Sequence, residues 1–314
     1  MPPTEFTSPP TLPADRSGHP ATAASISIVA PSRTDGFEHI PPAPAWLMVP
    51  VGSQRGLFLN LPPGDPPTIG NVDDRGYYMD ALRRATCKAS LFGRTLNVQG
   101  LHPGRATLEL RHGDAGLTVV ISVLKKMKIP IVAHYVEHGL LRKTKTTPAV
   151  LREIVKEANR ILEPQANIRL VLVKDQPLTH KTIGRNLGRV VRTADAEGGG
   201  EWDLLVRHAV AIKEKYGLNL FLVQRFERTD DDGTGSLAAT KKGCCVMEDY
   251  LVGDRIDIVN AGHTLAHEVG HHRDLYHVPQ YNALMHRSQP APADRLSRRE
   301  IEKMNPTAAP FTPD

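Results

Sequence analysis

Apolar and polar positions fall into three successive patterns along the chain. Through about residue 44, large apolar side chains are sparse and Pro, Ala, Ser and Thr dominate. Such a segment cannot bury enough surface to offset its ordering entropy. Residues 1–44 are therefore read as a disordered arm, with Ile26-Ser27-Ile28-Val29 as a short patch able to dock. From Trp46 to about Leu124 apolar residues come in short alternating runs: Leu57–Leu61, Thr95–Val98, Ala106–Leu110 and Leu117–Val123. Pro103-Gly104 and His112-Gly113-Asp114 supply turns between them. Period-two runs broken by turns predict a small antiparallel β-sandwich over residues 45–125.

Beyond the basic junction Lys125-Lys126-Met127-Lys128 the period changes. Ile129–Val136 is strand-like. Thr147-Pro148 offers an N-cap and a first-turn proline, and Leu151, Ile154, Val155, Ala158, Ile161 and Leu162 follow at helical spacing. Ile168–Val173 predicts a second strand, and Trp202, Leu205, Ala209 and Ile212 a second helix ended by Gly217. Leu218–Val223 predicts a third strand, with shorter ones at Leu237–Thr240, Cys245–Glu248 and Ile256–Val259. A last helix is expected over Asp294–Met304, capped by Asp294. This alternation places a mixed α+β and α/β domain over 128–306 and leaves 307–314 as a tail.

Composition narrows the function classes. The 314 residues, 40% of them hydrophobic, suffice for two domains. A net charge of +5 is too mild to demand a nucleic-acid partner. Three cysteines, Cys87 and the adjacent Cys244 and Cys245, exclude a disulfide framework. No apolar run approaches the roughly 20 residues of a membrane span. The first residues lack the basic start and apolar stretch of a secretory signal. Export by a specialised route is favoured over a cytoplasmic location, because sandwich modules of this kind usually work outside cells.

The chemistry concentrates in His263–His277, which contains His267-Glu268-Val269-Gly270-His271. Helix positions four apart share a face, so His267 and His271 can bind one divalent metal at about 2.0–2.1 Å each. Glu268 lies one residue off that line, able to reach a water on the metal without being a ligand. Such a motif arises by chance in roughly 3% of chains of this composition, and adding a His ten positions after the first lowers that to roughly 0.1%.

HExxH followed by His277 resembles the metzincin zinc metallopeptidases, whose pattern is HExxHxxGxxH. The resemblance implies zinc bound by His267, His271 and His277, with Glu268 as general base. It also implies a twisted, mostly parallel sheet with an antiparallel edge strand that binds extended substrate, an active-site helix, and a Met-turn beneath the metal. Tyr281-Asn282-Ala283-Leu284-Met285-His286 is similar to that turn, with Met285 as the floor. The chain departs from the pattern at Asp274, which stands where the family has Gly. The turn requires a left-handed residue, a conformation Asp adopts at some cost. Gly100–Val123 resembles the last strands of bacterial immunoglobulin-like domains.

The expected function is zinc-dependent hydrolysis of peptide bonds in a protein or peptide substrate. The alternative is an Ig-like binding or adhesion protein with an inactive or structural zinc domain, a reading that gives Glu268 no task. Asp274 and His272 are alternative ligands, and Glu300 is the third ligand in a gluzincin-type scheme that leaves His277 and Met285 without roles. Asp230-Asp231-Asp232-Gly233 offers hard oxygens for Ca²⁺ but lacks the later Glu of an EF-hand.

Overall fold

The computed structural model describes residues 26–29, 36–38, 43–76, 86–137, 143–184, 187, 191–192, 200–214, 216–227, 238–241, 243–287 and 293–306. Residues 1–25, the 307–314 tail, His138 and the Asp230–Asp232 loop lie outside them.

The first region is a β-sandwich. In chain order its strands are β1 (Ser27–Val29), β2 (Phe37–Glu38), β3 (Ala45–Pro50), β4 (Gln54–Asn60), β5 (Thr68–Gly76), β6 (Cys87–Phe92), β7 (Thr95–Gly100), β8 (Gly104–His112) and β9 (Ala115–Leu124). One sheet has the order β1-β4-β7-β6 and the other β2-β3-β9-β8-β5. Leu57, Leu59, Leu96, Val98, Leu108, Leu110 and Ile121 fill the space between them. Two expectations are corrected. The arm does not extend to residue 44: Ser27–Val29 pairs with β4, Phe37–Glu38 pairs with β3, and Ile26 is buried in the sandwich core. Two- and three-residue strands are too short to show a period against their Pro- and Ser-rich neighbours. Nor is the sandwich purely antiparallel, because β3 runs parallel to β9. A parallel pair is joined through intervening strands rather than by a hairpin, so local turn signals do not report it.

The second region contains β10 (Met127–Val136), α1 (Pro148–Ala166), β11 (Ile168–Leu178), α2 (His180–Ile183), β12 (Val191–Arg192), α3 (Glu201–Arg207), β13 (Leu218–Val223), β14 (Phe226–Glu227), β15 (Ala238–Lys241), β16 (Cys244–Glu248), β17 (Leu251–Val252), β18 (Arg255–Ile256), α4 (Ile258–His272) and α5 (Arg298–Met304). Its five-stranded sheet has the order β11-β10-β13-β16-β15. The first four strands are mutually parallel, and β15 lies antiparallel on the β16 edge. Thr147 caps α1 by accepting from Val150 N, as its sequence predicts.

Three element boundaries differ from expectation, each for a local polar reason. The second helix ends at Arg207 rather than near Gly217, because the Asn219 side chain clamps Val210, accepting from its N–H at 2.9 Å and donating to its carbonyl at 3.0 Å. Of the strand expected at Ile256–Val259 only Ile256 pairs, as the end of β18, and α4 begins at Ile258: Asp257 accepts from Asn260 N and caps the helix. The last helix is capped by Ser297, not Asp294, because Ser297 and Glu300 form a reciprocal capping box.

The two regions share a wall. On β3, Ala45, Leu47 and Val49 face the sandwich core while Trp46 and Met48 face the second core. On β9, Val119, Ile121 and Val123 face the sandwich and Leu124 the other side. Strand alternation thus sends successive side chains into different cores. The joint is also polar: Trp46 Nε1 donates to Ser122 Oγ at 2.9 Å, Ser122 donates to Glu302 at 3.2 Å, and Arg105 pairs with Glu302 at 2.7 Å.

Candidate metal centre

The centre is built on α4, whose residues Ala261–Gly270 are all buried. Packing against α1 is close at Gly262, where a Cβ would stand 2.5 Å from Glu157 Cγ. The helix presents His267, 3% exposed, and His271 one turn on. It ends in a Schellman turn: Leu275 N bonds to Gly270 O at 2.9 Å and Asp274 N to His271 O at 2.9 Å. Asp274 occupies the left-handed position with φ 62°. This reversal brings the following chain back under the helix and delivers His277.

The three Nε2 atoms converge. His267 and His271 are 3.0 Å apart, His267 and His277 3.2 Å, and His271 and His277 3.1 Å. Backbone carbonyls set the tautomers. His267 Nδ1 lies 2.7 Å from Leu284 O, and His271 Nδ1 lies 3.0 Å from Leu275 O. A carbonyl only accepts, so each Nδ1 carries the proton and each Nε2 presents a lone pair. Two acceptor nitrogens 3.0 Å apart repel unless a cation lies between them. Burial, then the neighbouring His271, pushes the His267 imidazolium down to about 3, so this ring is neutral and ready to ligate. Among the described residues this trio is the cluster able to hold a metal ion.

Met285 is wholly buried below α4, and its sulfur packs on Gly270, where a Cβ would stand only 2.3 Å from Sδ. The turn carrying it is tied by Ala283 N to Gln280 O, His286 N to Ala283 O and Val278 N to Met285 O, each 3.0 Å. The same turn supplies the Leu284 carbonyl that orients His267. Glu268 is 5% exposed, and its Oε2 accepts from Thr240 Oγ1 on β15 at 2.6 Å.

The alternative ligands are engaged elsewhere. His272 Nε2 faces Tyr216 O at 3.1 Å, and Glu300 Oε2 accepts from Ser297 N and Oγ, each at 2.7 Å. Asp274 serves through its backbone. Cys87, Cys244 and Cys245 are buried thiols outside any disulfide. His134 is buried against Asn219 Oδ1 at 2.9 Å and stacks on Phe221, a packing role. The sequence reading missed Thr240 and the two orienting carbonyls. A carbonyl leaves no mark on residue identity, and a lone Thr on a four-residue strand has no distinguishing spacing.

No family model and no curated protein matches the chain. Among solved structures, domains 4 and 5 of the S-layer protein SbsC align at 17% identity over 28% of this chain and 51% of that one, with a TM-score of 0.19. The chain thus spans about half the length of that fragment. A protein from Bacteroides thetaiotaomicron aligns at 14% identity over 38% of this chain and 95% of its own, with a TM-score of 0.20. A sialyltransferase from Photobacterium damsela aligns at 6% identity over 58% of this chain and 36% of its own, with a TM-score of 0.23. Likenesses this slight carry no argument about function, which rests on the geometry of the three imidazoles and the carboxylate.

Proposed function

We propose that the protein is a zinc-dependent endopeptidase of metzincin type. The observation that carries this reading is the convergence of three Nε2 atoms within 3.2 Å of one another, two of them with tautomers fixed by backbone carbonyls. Three nitrogens bound to one tetrahedral Zn²⁺ at about 2.0–2.1 Å stand about 3.3 Å apart, close to the spacing found. Neutral imidazoles suit zinc, and carbonyls behind two of them keep their ligating nitrogens unprotonated. When bound, the ion supplies Lewis acidity, polarising a carbonyl and making water acidic enough to deprotonate near neutral pH.

His267, His271 and His277 would hold the ion, and Met285 supports the floor beneath them. Glu268 takes the proton of the attacking water on its carboxylate as the water oxygen bonds to the scissile carbon. It returns that proton to the amine as the C–N bond breaks. β15, the antiparallel edge of the sheet, is the strand on which an extended substrate adds through backbone hydrogen bonds. A purely structural metal site leaves Glu268 without a task.

The test pairs zinc content with digestion of an unfolded protein such as casein. Glu268→Ala is expected to keep its zinc and lose about 10²- to 10⁴-fold in rate, the range for a general acid–base group. A variant that digests at the parent rate, or a zinc-loaded parent that cleaves nothing, overturns the reading.

A further inference from the structure

We infer that Thr240 is a positioning residue that holds the Glu268 carboxylate in one orientation for proton transfer, an inference resting on the hydrolase reading above. Its Oγ1 lies 2.6 Å from Glu268 Oε2, the separation of a hydroxyl donating to an ionised carboxylate. The hydroxyl has one proton. The Glu268 backbone carbonyl is at 3.3 Å and the Cys245 side chain also bonds to Thr240, but the 2.6 Å contact is the short one, so the carboxylate takes the bond.

The donor comes from outside the helix that carries the base. Thr240 sits on β15 and Glu268 on α4, so this contact ties the base to the edge of the sheet. Thr is β-branched and stiff at χ1, which makes it a better fixed point than a flexible side chain. Across the ladder Thr240 pairs with Cys245, which is fully buried. Burial pushes that thiol well above its ordinary range, so it backs the hydroxyl as a neutral group. Glu has three rotatable side-chain bonds, and a general base works only from the orientation that reaches its proton. One short bond to Oε2 removes much of that freedom before substrate arrives. Because β15 is also the proposed substrate strand, Thr240 places the base in register with the chain to be cut.

The test uses the full-length, zinc-loaded chain with Thr240→Val, which keeps the shape and removes the hydroxyl, and Thr240→Ser, which keeps the hydroxyl. Thr240→Val is expected to lower kcat about 10- to 100-fold, the size of one lost hydrogen bond to a charged group. KM and zinc content should stay at parent values, the melting temperature should fall by a few degrees as a buried carboxylate loses its donor, and Thr240→Ser should recover most of kcat. In a crystal structure of Thr240→Val the Glu268 carboxylate should leave its parent position. Four results overturn the inference: a parent-like kcat in Thr240→Val, equal losses in the Val and Ser variants, a loss expressed in KM alone, or an unmoved Glu268. Failure of the hydrolase reading shows differently, as absence of turnover in the parent itself.

Discussion

The two regions solve the problem of burying apolar surface in different ways. The sandwich closes its core from within: among the described residues, its core side chains all come from Ile26 to Val123. The second region does not. Its core includes Trp46, Met48 and Leu124 from the sandwich's β3 and β9, packed with α1, the central sheet and α5. α4, which carries the candidate metal ligands, contributes Leu265, Ala266 and Val269 to that same core. An Ig-like module tethered by a linker would leave no such dependence. The difference implies a hierarchy, in which the sandwich is a wall of the second region and not a separate appendage.

Trp46 breaks this comparison most directly. It is 1% exposed, and its indole N–H begins the Ser122–Glu302 chain that reaches α5. Trp46→Ala should cost about 3–5 kcal/mol, in the range for large aromatic truncations. The loss should fall on the metal-site region, lowering its thermal transition and zinc affinity. Leu108→Ala, in the sandwich core, should cost about 2–5 kcal/mol and lower both transitions, since the wall itself loosens. Hydrogen exchange resolved by segment distinguishes them. If Trp46→Ala leaves α4 and α5 amides as protected as in the parent, the shared wall is not an energetic joint.

Zinc sharpens the same comparison from the other side. A ligand that binds only the native state stabilises it by about 2.7 kcal/mol at a hundredfold excess over Kd. Chelation should therefore lower protection in α4 and the Met285 turn by roughly that amount while leaving β4, β7 and β8 unchanged. Equal loss in both regions would mean that they unfold as one unit, and no loss in either would remove the metal from the site.

These features were unequally legible in the sequence. The convergence of His267 and His271 follows from helical spacing alone, and the need for a left-handed residue before His277 points to Asp274, observed at φ 62°. The period-two reading of Leu117–Val123 passed over a second signal: Ala45–Val49 and Val119–Leu124 are apolar at nearly every position, the mark of strands covered on both faces. That pattern says a second layer exists but not which segment provides it, so the dependence of one region on the other was hidden. Partners supplied by the backbone were hidden for a related reason. The Leu284 and Leu275 carbonyls orient the imidazoles, yet any residue in those positions has a carbonyl. Helix ends were misplaced where a polar side chain clamps the backbone, as with Asn219 on Val210, because such a contact leaves no periodic mark.

The smallest effect concerns Asp274. A non-glycine residue in the left-handed region costs roughly 1–2 kcal/mol, less for Asp, whose short polar side chain tolerates it. Asp274→Gly removes that strain but gives the unfolded chain more freedom, worth about 0.5–1 kcal/mol. The net gain should be about 0.5 kcal/mol, a rise of about 1–2 °C for a region of this size. Asp274→Ala keeps the strain without the polar side chain and should move the other way by about 1 kcal/mol. Measured by differential scanning calorimetry with zinc bound, the pair asks whether backbone handedness at this one residue fixes the return of His277. Opposite shifts support that, because the unfolded-chain freedom of Gly works against its gain, which leaves the cost of positive φ as the term that can favour Gly over Ala at C′. Identical melting of the two variants, with zinc affinity unchanged, would instead place the burden on the hydrogen bonds from Leu275 N to Gly270 O and from Asp274 N to His271 O, which neither substitution removes.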